Sequence, residues 1–179
     1  RIGQHLARMA KFGLNMEIMY TDIVPHLEAE RLLDAKKVSL EEFNVIAEDV
    51  HKGCFEEIRP KEMNRFDFAL LTSTEKDGLT SYATILEHDA ESAYMQHGGT
   101  FHPDNGILTA KSYSKLIDWL KERYPVITTR IFNTNRAMLR LADRAGFLIH
   151  GVEYYKESQN FKGGTLLCLN LESEKFKGV

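Results

Sequence analysis

The chain has little cysteine, little proline and no long apolar run, and each shortage excludes a class of protein. Its 179 residues contain two cysteines, Cys54 and Cys168, which have neither the spacing of a metal site nor the number that a disulfide framework needs. Four prolines leave no proline-rich linker. No apolar stretch approaches the ~20 residues that cross a membrane. No signal peptide is visible, so the expectation is a cytoplasmic protein with reduced thiols that has no membrane partner.

Excess charge of one sign is also missing. The formal net charge is −3 and the sequence pI is about 6.2, which argues against a nucleic-acid partner. Hydrophobic residues make up 43% and charged residues 27% of the chain, as in ordinary soluble domains. Since Arg1 is not a start residue, residues 1–12 are expected to be a flexible arm or a cloning remnant. Residues 13–179 are then expected to form one domain.

The most informative stretch lies between residues 126 and 147. Residues 126–132 are apolar and rich in β-branched side chains, so they predict a strand. A helix should follow, because four apolar residues recur on one helical face: Met138, Leu141, Ala142 and Ala145. Asn135 is placed to cap its start, and Gly146 is placed to end it in a left-handed turn.

The rest of the chain alternates helices and strands without internal repeats. Further strands are expected over residues 14–23, 66–73, 79–88, 92–101, 147–156 and 165–171. Further helices are expected over residues 27–37, from a capping box at Ser39 and Glu42 to Cys54, and over 110–124. The hairpin signal Lys76-Asp77-Gly78 and the turn at 89–91 make the central strands an antiparallel meander.

This order, β-α-α-β-β-β-α-β-α-β-β, together with Asn135 eleven residues before Gly146, resembles the GCN5-related N-acetyltransferase (GNAT) superfamily. The resemblance implies an α+β fold with a central, mostly antiparallel twisted sheet that splays between its fourth and fifth strands, with helices on both faces. It also implies an acetyl-CoA-dependent N-acyltransferase that moves the acetyl group directly to an amine on a small molecule or a peptide. Acetyl-CoA is the implied co-substrate, and no metal is expected.

The resemblance implies where the coenzyme binds, although one motif departs from the family pattern. The family's Gln/Arg-x-x-Gly-x-Gly/Ala loop holds the pyrophosphate on backbone amides. Here Pro103 replaces the Gln or Arg, Gly106 keeps the first glycine, and Leu108 replaces the second. The implied coenzyme contacts are Gly106, Ile107, Leu108, Thr109, Ala110, Lys111, Asn133 and Asn135. The alternatives are an ordinary loop with Thr109 as N-cap, and Asn135 acting only as a cap.

Catalytic groups are harder to assign. Gly98 and Gly99 predict a bulge that frees an amide of Gly98, Gly99 or Thr100 to polarise the thioester, or they merely relieve crowding. Strict alternation would put Tyr94, Gln96 and Gly98 on one face of their strand. The family's usual proton-donating tyrosine, seven residues after the Asn, is Ala142 here. The substitutes considered are Tyr154, Tyr155, Tyr113 and water, and each tyrosine is alternatively a packing aromatic.

The base that deprotonates the acceptor amine is expected among the acidic and histidine side chains near the meander and the closing hairpin. The candidates are Glu87, His88, Glu91, His97 and Glu153, with Glu87 taken as the catalytic choice. His51 and Cys54 share a helix, but two ligands do not make a metal site. Two alternatives stay open beside the enzyme: a GNAT-fold CoA-binding module without turnover, and a phage-type modifier of nucleic-acid amines. The acceptor is not identified, and a homodimer stays an open alternative.

Overall fold

A mixed sheet of seven strands organises the part of the chain that the computed structural model describes, which is residues 34–45, 66–75, 78–157 and 163–176. The strands are β1 (Lys36–Ser39), β2 (Phe68–Thr74), β3 (Gly78–Glu87), β4 (Ser92–Thr100), β5 (Val126–Phe132), β6 (Leu148–Tyr155) and β7 (Gly164–Glu172). Their order is β1-β2-β3-β4-β5-β7-β6. All neighbours pair antiparallel except β4 and β5, which are parallel.

Three α-helical segments and a short 3₁₀ helix, Glu174–Phe176, accompany this sheet in the described ranges. The helix α1 is described over residues 40–45, α2 is Gly106–Lys121, and α3 is Arg136–Ala145. The predicted capping box starts α1: the Ser39 amide donates to the Glu42 carboxylate (2.8 Å), and the Glu42 amide donates to Ser39 Oγ (3.1 Å). These hydrogen bonds lower the pKa of Glu42, the backbone bond from Ser39 most. No helix within the described ranges is long and apolar enough to span a membrane.

The sheet buries a different core on each face. On one face α2 and α3 pack over a large cluster that includes Leu70, Ile85, Met95, Ile127 and Leu169. On the other face Phe43 of α1 is fully buried in a smaller cluster with Val38, Leu71 and Tyr82. Helices therefore lie on both faces of a mostly antiparallel sheet, as the sequence predicted.

The prediction of a helix over residues 27–37 was wrong at its end. Lys36–Ser39 is a strand that pairs with Phe68–Leu71 of β2. Val38 is buried in this strand, and Ser39 must leave the helical conformation to cap α1. Tertiary pairing thus overrode helix propensity. The predictions on residues 1–33 and on the rest of the long helix through Cys54 lie outside the described residues.

The predicted meander is confirmed as β2, β3 and β4. The turn between β3 and β4 is held by the Asp89 carboxylate. It accepts from the Glu91 amide (2.9 Å), the Ser92 amide (2.7 Å) and Ser92 Oγ (2.9 Å). The hydrogen bond from the Ser92 hydroxyl contributes most to lowering the pKa of Asp89. This turn returns the chain so that β4 lies at the middle of the sheet, beside β5.

Candidate active site

The parallel strands β4 and β5 pair along only part of their length. Ser92–Met95 pair with Val126–Thr129, and no pair follows. At the last pair, Thr129 Oγ1 donates to the Met95 carbonyl (3.0 Å). Beyond it, residues 96–100 of β4 and 130–132 of β5 have no ladder across from each other, and we call the space between them the splay gap. The predicted splay between the fourth and fifth strands is therefore confirmed.

Backbone groups of β4 face this gap. The Phe101 amide donates to the Thr80 carbonyl of β3 (3.0 Å). Because the main chain of an antiparallel strand points alternately to its two sides, Gly98 and Thr100 direct their N–H and C=O groups away from β3. The two residues thus present unladdered backbone groups to the splay gap, as the exposed edge of a sheet does.

A β-bulge lies at the closed end of the gap, but not where the glycines predicted it. Thr84 pairs with His97 and Ile85 pairs with Met95, so Gln96 is the extra residue. The His97 amide donates to Thr84 Oγ1 (3.2 Å). Gly98, by contrast, pairs regularly with Ala83. The bulge also changes the alternation, so that Gly98 lies on the same face as Met95 and not on that of Tyr94.

The start of α2 borders the open end of the gap, and its cap differs from the prediction. The N-cap is Asn105, whose Oδ1 accepts from the Leu108 amide (3.1 Å), and the helix begins at Gly106 instead of residue 110. The Thr109 amide donates to the Asn105 carbonyl (2.9 Å). Thr109 is therefore not the cap. The amides of Gly106 and Ile107 remain, since the first residues of a helix have no intrahelical acceptor.

The Thr109 hydroxyl fastens this loop to β4. It lies 3.1 Å from Thr100 Oγ1 and donates to the His102 carbonyl (3.2 Å). The His102 amide in turn donates to Thr100 Oγ1 (3.2 Å). A groove of about 560 Å³ follows the outside of the loop. Its lining consists of residues 101–107.

The start of α3 borders the other side of the open end. Asn135 caps α3, with Oδ1 accepting from the Met138 amide (3.1 Å), and Gly146 ends the helix at φ +93°. Both predictions are confirmed. Asn133 lies in the turn after β5, and its amide donates to the Thr165 carbonyl (2.9 Å). Because β4 and β5 are parallel, the positive ends of α2 and α3 lie at the same end of the splay gap.

Known structures share this fold. The ribosomal-protein-S18-alanine N-acetyltransferase of Escherichia coli matches with a TM-score of 0.58 and 15% identity, over 78% of this chain and 94% of that one. YncA from Salmonella typhimurium, solved with its cofactor acetyl-CoA, matches with a TM-score of 0.59 and 16% identity, over 82% and 96%. A spermidine N-acetyltransferase chimera, SpeG from Vibrio cholerae with hSSAT, matches with a TM-score of 0.62 and 12% identity, over 83% and 99%. No protein-family model and no curated protein sequence matches.

The chain has the GNAT fold. In this GNAT fold the predicted site residues divide into two groups. Gly98 and Thr100 of β4, the first helical residues Gly106 and Ile107, and the two asparagines, Asn133 and Asn135, lie at the splay gap or its open end. The prediction of free amides at Gly99 and Thr109 was wrong, because Gly99 faces β3 as Phe101 does and the Thr109 amide is bonded inside the helix. Leu108 donates its amide to the Asn105 side chain, and Ala110 and Lys111 lie further along α2. Two predicted catalytic residues lie away from the splay gap. Glu87 is opposite Ala93 near the start of β4, about five residues or roughly 17 Å from Gly98 along the strand.

Tyr154 is the second predicted catalytic residue that lies away from the splay gap. It is 74% exposed on β6, the edge strand, which β7 separates from β5. Ala142, at the position of the usual GNAT tyrosine, is fully buried in the α3 core face. The Glu87 carboxylate instead accepts a hydrogen bond from the Tyr124 hydroxyl, which with burial raises the pKa of Tyr124.

A polar cluster lies on the face of the sheet opposite α2 and α3, level with the closed end of the splay gap. The Arg130 guanidinium lies 5.6 Å from the centre of the Tyr94 ring and donates to Glu153 Oε1 (3.1 Å). Burial raises the pKa of Tyr94, against the opposing effect of the arginine. His88 stacks on the other side, with ring centres 6.0 Å apart. This cluster combines a cation, a carboxylate and a phenol beside the last β4–β5 pair.

The roles of three residues near the gap were not predicted from the sequence. Asn105 had a usable signal, because asparagine is a stronger N-cap than threonine and it precedes Gly-Ile-Leu as Asn135 precedes its helix. Gln96 was placed on a strand face with Tyr94 and Gly98, but nothing in a glutamine marks it as the bulge residue. Arg130 could not be assigned either, because its partners Tyr94 and Glu153 lie 36 and 23 residues away in the sequence.

Proposed function

We propose that this chain is an acetyl-CoA-dependent N-acyltransferase that transfers an acetyl group directly to an amine. The observation that carries this proposal is the splay gap, a parallel strand pair that stops at Met95 and Thr129 and diverges between two helix N-termini. The acetyltransferases that share the fold support it, and one of them was solved with acetyl-CoA.

The residues around the gap suit an acyl-CoA. The free amides of Gly106 and Ile107, with the positive end of α2, suit the pyrophosphate, and Lys111 adds a charge one turn away. The unladdered backbone of Gly98 and Thr100 suits an extended arm that pairs with β4 as a strand would. Asn133 and Asn135 border the β5 side of the same arm. When bound, the coenzyme supplies an acetyl group activated as a thioester.

The residues of β4 assist the transfer by holding the carbonyl. An amide donor aimed at the carbonyl oxygen stabilises the negative charge that develops as the amine nitrogen attacks. A C–N bond forms, the C–S bond breaks, and the thiolate leaves with the bonding electrons. The ammonium form of the acceptor must first lose a proton, and the departing thiolate must gain one.

Water is the proposed proton donor to the thiolate. Ala142 provides no hydroxyl, and Tyr154 is exposed on the far edge strand. For the acceptor amine, we place the binding side on the sheet face that carries Tyr94, Arg130 and Glu153. The Glu153 carboxylate, half-exposed at that face, is a better placed partner for an ammonium group than Glu87.

Two measurements test the function. Titration calorimetry with acetyl-CoA should detect one binding site, and CoA should compete for it. A free-thiol assay with a panel of polyamines, amino acids, amino-terminal peptides and nucleobase amines should then show thiol release with at least one class. Absence of binding at millimolar acetyl-CoA would overturn the proposal.

One observation favours a second candidate, a coenzyme-binding module without turnover. The Asn105 side chain occupies the amide of Leu108, one of the donors that the resemblance implied for the pyrophosphate. In that case acetyl-CoA binds, but no amine in the panel releases thiol above the rate of hydrolysis.

A further inference from the structure

A buried hydroxyl on α2 has no hydrogen-bond partner among the described residues. Tyr113 is 7% exposed, and its Oη makes no hydrogen bond within the part of the chain that the structure describes. Burial raises the pKa of Tyr113 well above its usual value, so the group stays protonated and can donate. A buried donor without an acceptor costs free energy in the folded protein, and native structures contain few such groups.

The position of Tyr113 follows from two contacts at the start of α2. Thr109 and Tyr113 stand one turn apart on the same side of the helix, about 6 Å along its axis. On β4, Thr100 and Gly98 stand on the same side, about 7 Å apart. Thr109 contacts Thr100, and the far end of the helix lies at the start of β4, where Tyr124 reaches Glu87. Helix and strand therefore run antiparallel, and Tyr113 lies level with Gly98 along the strand.

The direction in which the Tyr113 side chain leaves α2 agrees with this position. Around α2, Ser112 points to Thr80 of β3 (2.9 Å), and Lys121 reaches the Ala145 carbonyl at the end of α3 (3.1 Å). At 100° per residue, Tyr113 points between these two directions. That places the ring under β4 and β5, on the side of the splay gap.

Gly98 leaves room above the tyrosine. A Cβ added at Gly98 would meet only the Tyr82 carbonyl oxygen, at 3.3 Å, among atoms within 4 Å. The cross-strand neighbour Ala83 is buried, whereas Gly98 is exposed to the gap. Within the described ranges two further buried atoms make no hydrogen bond, Gln96 Oε1 at the bulge and His102 Nε2 in the loop after β4.

We propose that the Tyr113 hydroxyl donates a hydrogen bond to an amide carbonyl of the pantetheine arm as that arm passes Gly98. This inference rests on the proposed function. It assigns Tyr113 to binding and not to proton transfer, because side chains on a helix lean toward its N-terminus. The hydroxyl is then directed away from Met95 and Thr129, which lie roughly three strand residues, or about 10 Å, from Gly98.

The test is Tyr113→Phe with calorimetric titration of two probes. CoA carries the pantetheine arm, and adenosine 3′,5′-bisphosphate does not. The variant should bind CoA about three- to tenfold more weakly, the value of one hydrogen bond, and should bind the bisphosphate unchanged. Its apo form should unfold at the same temperature as the parent or higher, since the orphaned hydroxyl is gone.

Tyr124→Phe is the matched control. It removes a hydroxyl that lies beyond the other end of α2 and is bonded to Glu87, so the variant should lose stability and keep its CoA affinity. An unchanged CoA affinity in Tyr113→Phe overturns this inference alone and leaves the acyltransferase proposal intact. A parent protein that binds no CoA overturns both. Equal weakening for the two probes also overturns the inference, because it would indicate a general disturbance of the loop.

Discussion

Single asparagines start both helices that border the splay gap. Asn105 and Asn135 each accept a hydrogen bond from an amide three residues later, in both cases at 3.1 Å. A cap of this kind stabilises a helix by about 1 kcal/mol. Because each cap also directs the helix end toward the gap, the same side chain can contribute to folding and to ligand binding.

Replacing Asn135 separates the two contributions. We expect Asn135→Ala to lower the free energy of unfolding by about 1 kcal/mol and to weaken acetyl-CoA binding beyond what that loss explains. Ser39→Ala is the control, since it removes a cap at α1 with a similar cost and without contact with the gap. Denaturant melts and calorimetry measure both quantities. Equal binding by the two variants would make Asn135 a cap only.

The site residues that sequence reasoning located are those whose role depends on local backbone chemistry. Asn135 and Gly98 were chosen because helix caps and strand glycines have local signatures, and Gly106 was chosen from the loop motif of the resemblance. Glu87 and Tyr154 were chosen for their chemistry alone, and the structure places Glu87 at the other end of β4 and Tyr154 on an edge strand. Side-chain chemistry does not specify distance, which only the strand order of the sheet determines.

At the scale of elements, β4 is paired on both sides over its first half and on one side only over its second half. Its first half pairs with β5, and its second half leaves Gly98 and Thr100 without a ladder on that side. We expect Gly98→Val to abolish CoA binding, because its side chain would enter the space between β4 and α2. Calorimetry checks this, with a denaturant melt to establish that the variant folds.

Gly151→Ala on β6 provides the comparison. A Cβ there meets the Cys168 Cβ at an ordinary 3.6 Å, so binding should be unaffected. Normal CoA binding by Gly98→Val would mean that the arm does not pass this residue.

The β3–β4 turn should make the stability of the fold depend on pH in the acidic range. The pKa of Asp89 is lowered in the folded state, so its stabilising effect is complete above the unfolded pKa of about 4 and is lost as the pH falls through the folded value. Asp89→Asn should therefore flatten the decline in thermal midpoint below pH 4. Identical acid profiles for the parent and Asp89→Asn would contradict this role.

The elements themselves were largely predictable, and the exceptions have physical causes. The meander, α3 and the closing hairpin follow from alternation, helical spacing and turn residues. The strand Lys36–Ser39 was missed because its pairing with β2 is a long-range interaction that no local propensity contains. The bulge at Gln96 was missed because Gly98 and Gly99 offered a more obvious position, although both pair regularly with β3.

For the whole molecule, ligand binding and stability should be coupled. If acetyl-CoA binds the folded chain only, a concentration 100-fold above Kd should raise the free energy of unfolding by about 2.7 kcal/mol. Thermal melts over a range of acetyl-CoA concentrations measure this rise. Adenosine alone is a suitable control, since it lacks the pyrophosphate and the arm. A midpoint that does not move with acetyl-CoA would contradict the site as a whole.

The short seam between β4 and β5 has a consequence for how the chain folds. The meander strands β2, β3 and β4 pair between residues that are close in sequence, whereas Met95 and Thr129 are 34 residues apart. Contacts of such separation carry a larger loop-closure cost, so the meander should form before β4 and β5 join. A ligand that spans the gap acts on this late step, after the transition state. It should therefore prolong the lifetime of the native state by slowing unfolding, and leave the rate of folding almost unchanged.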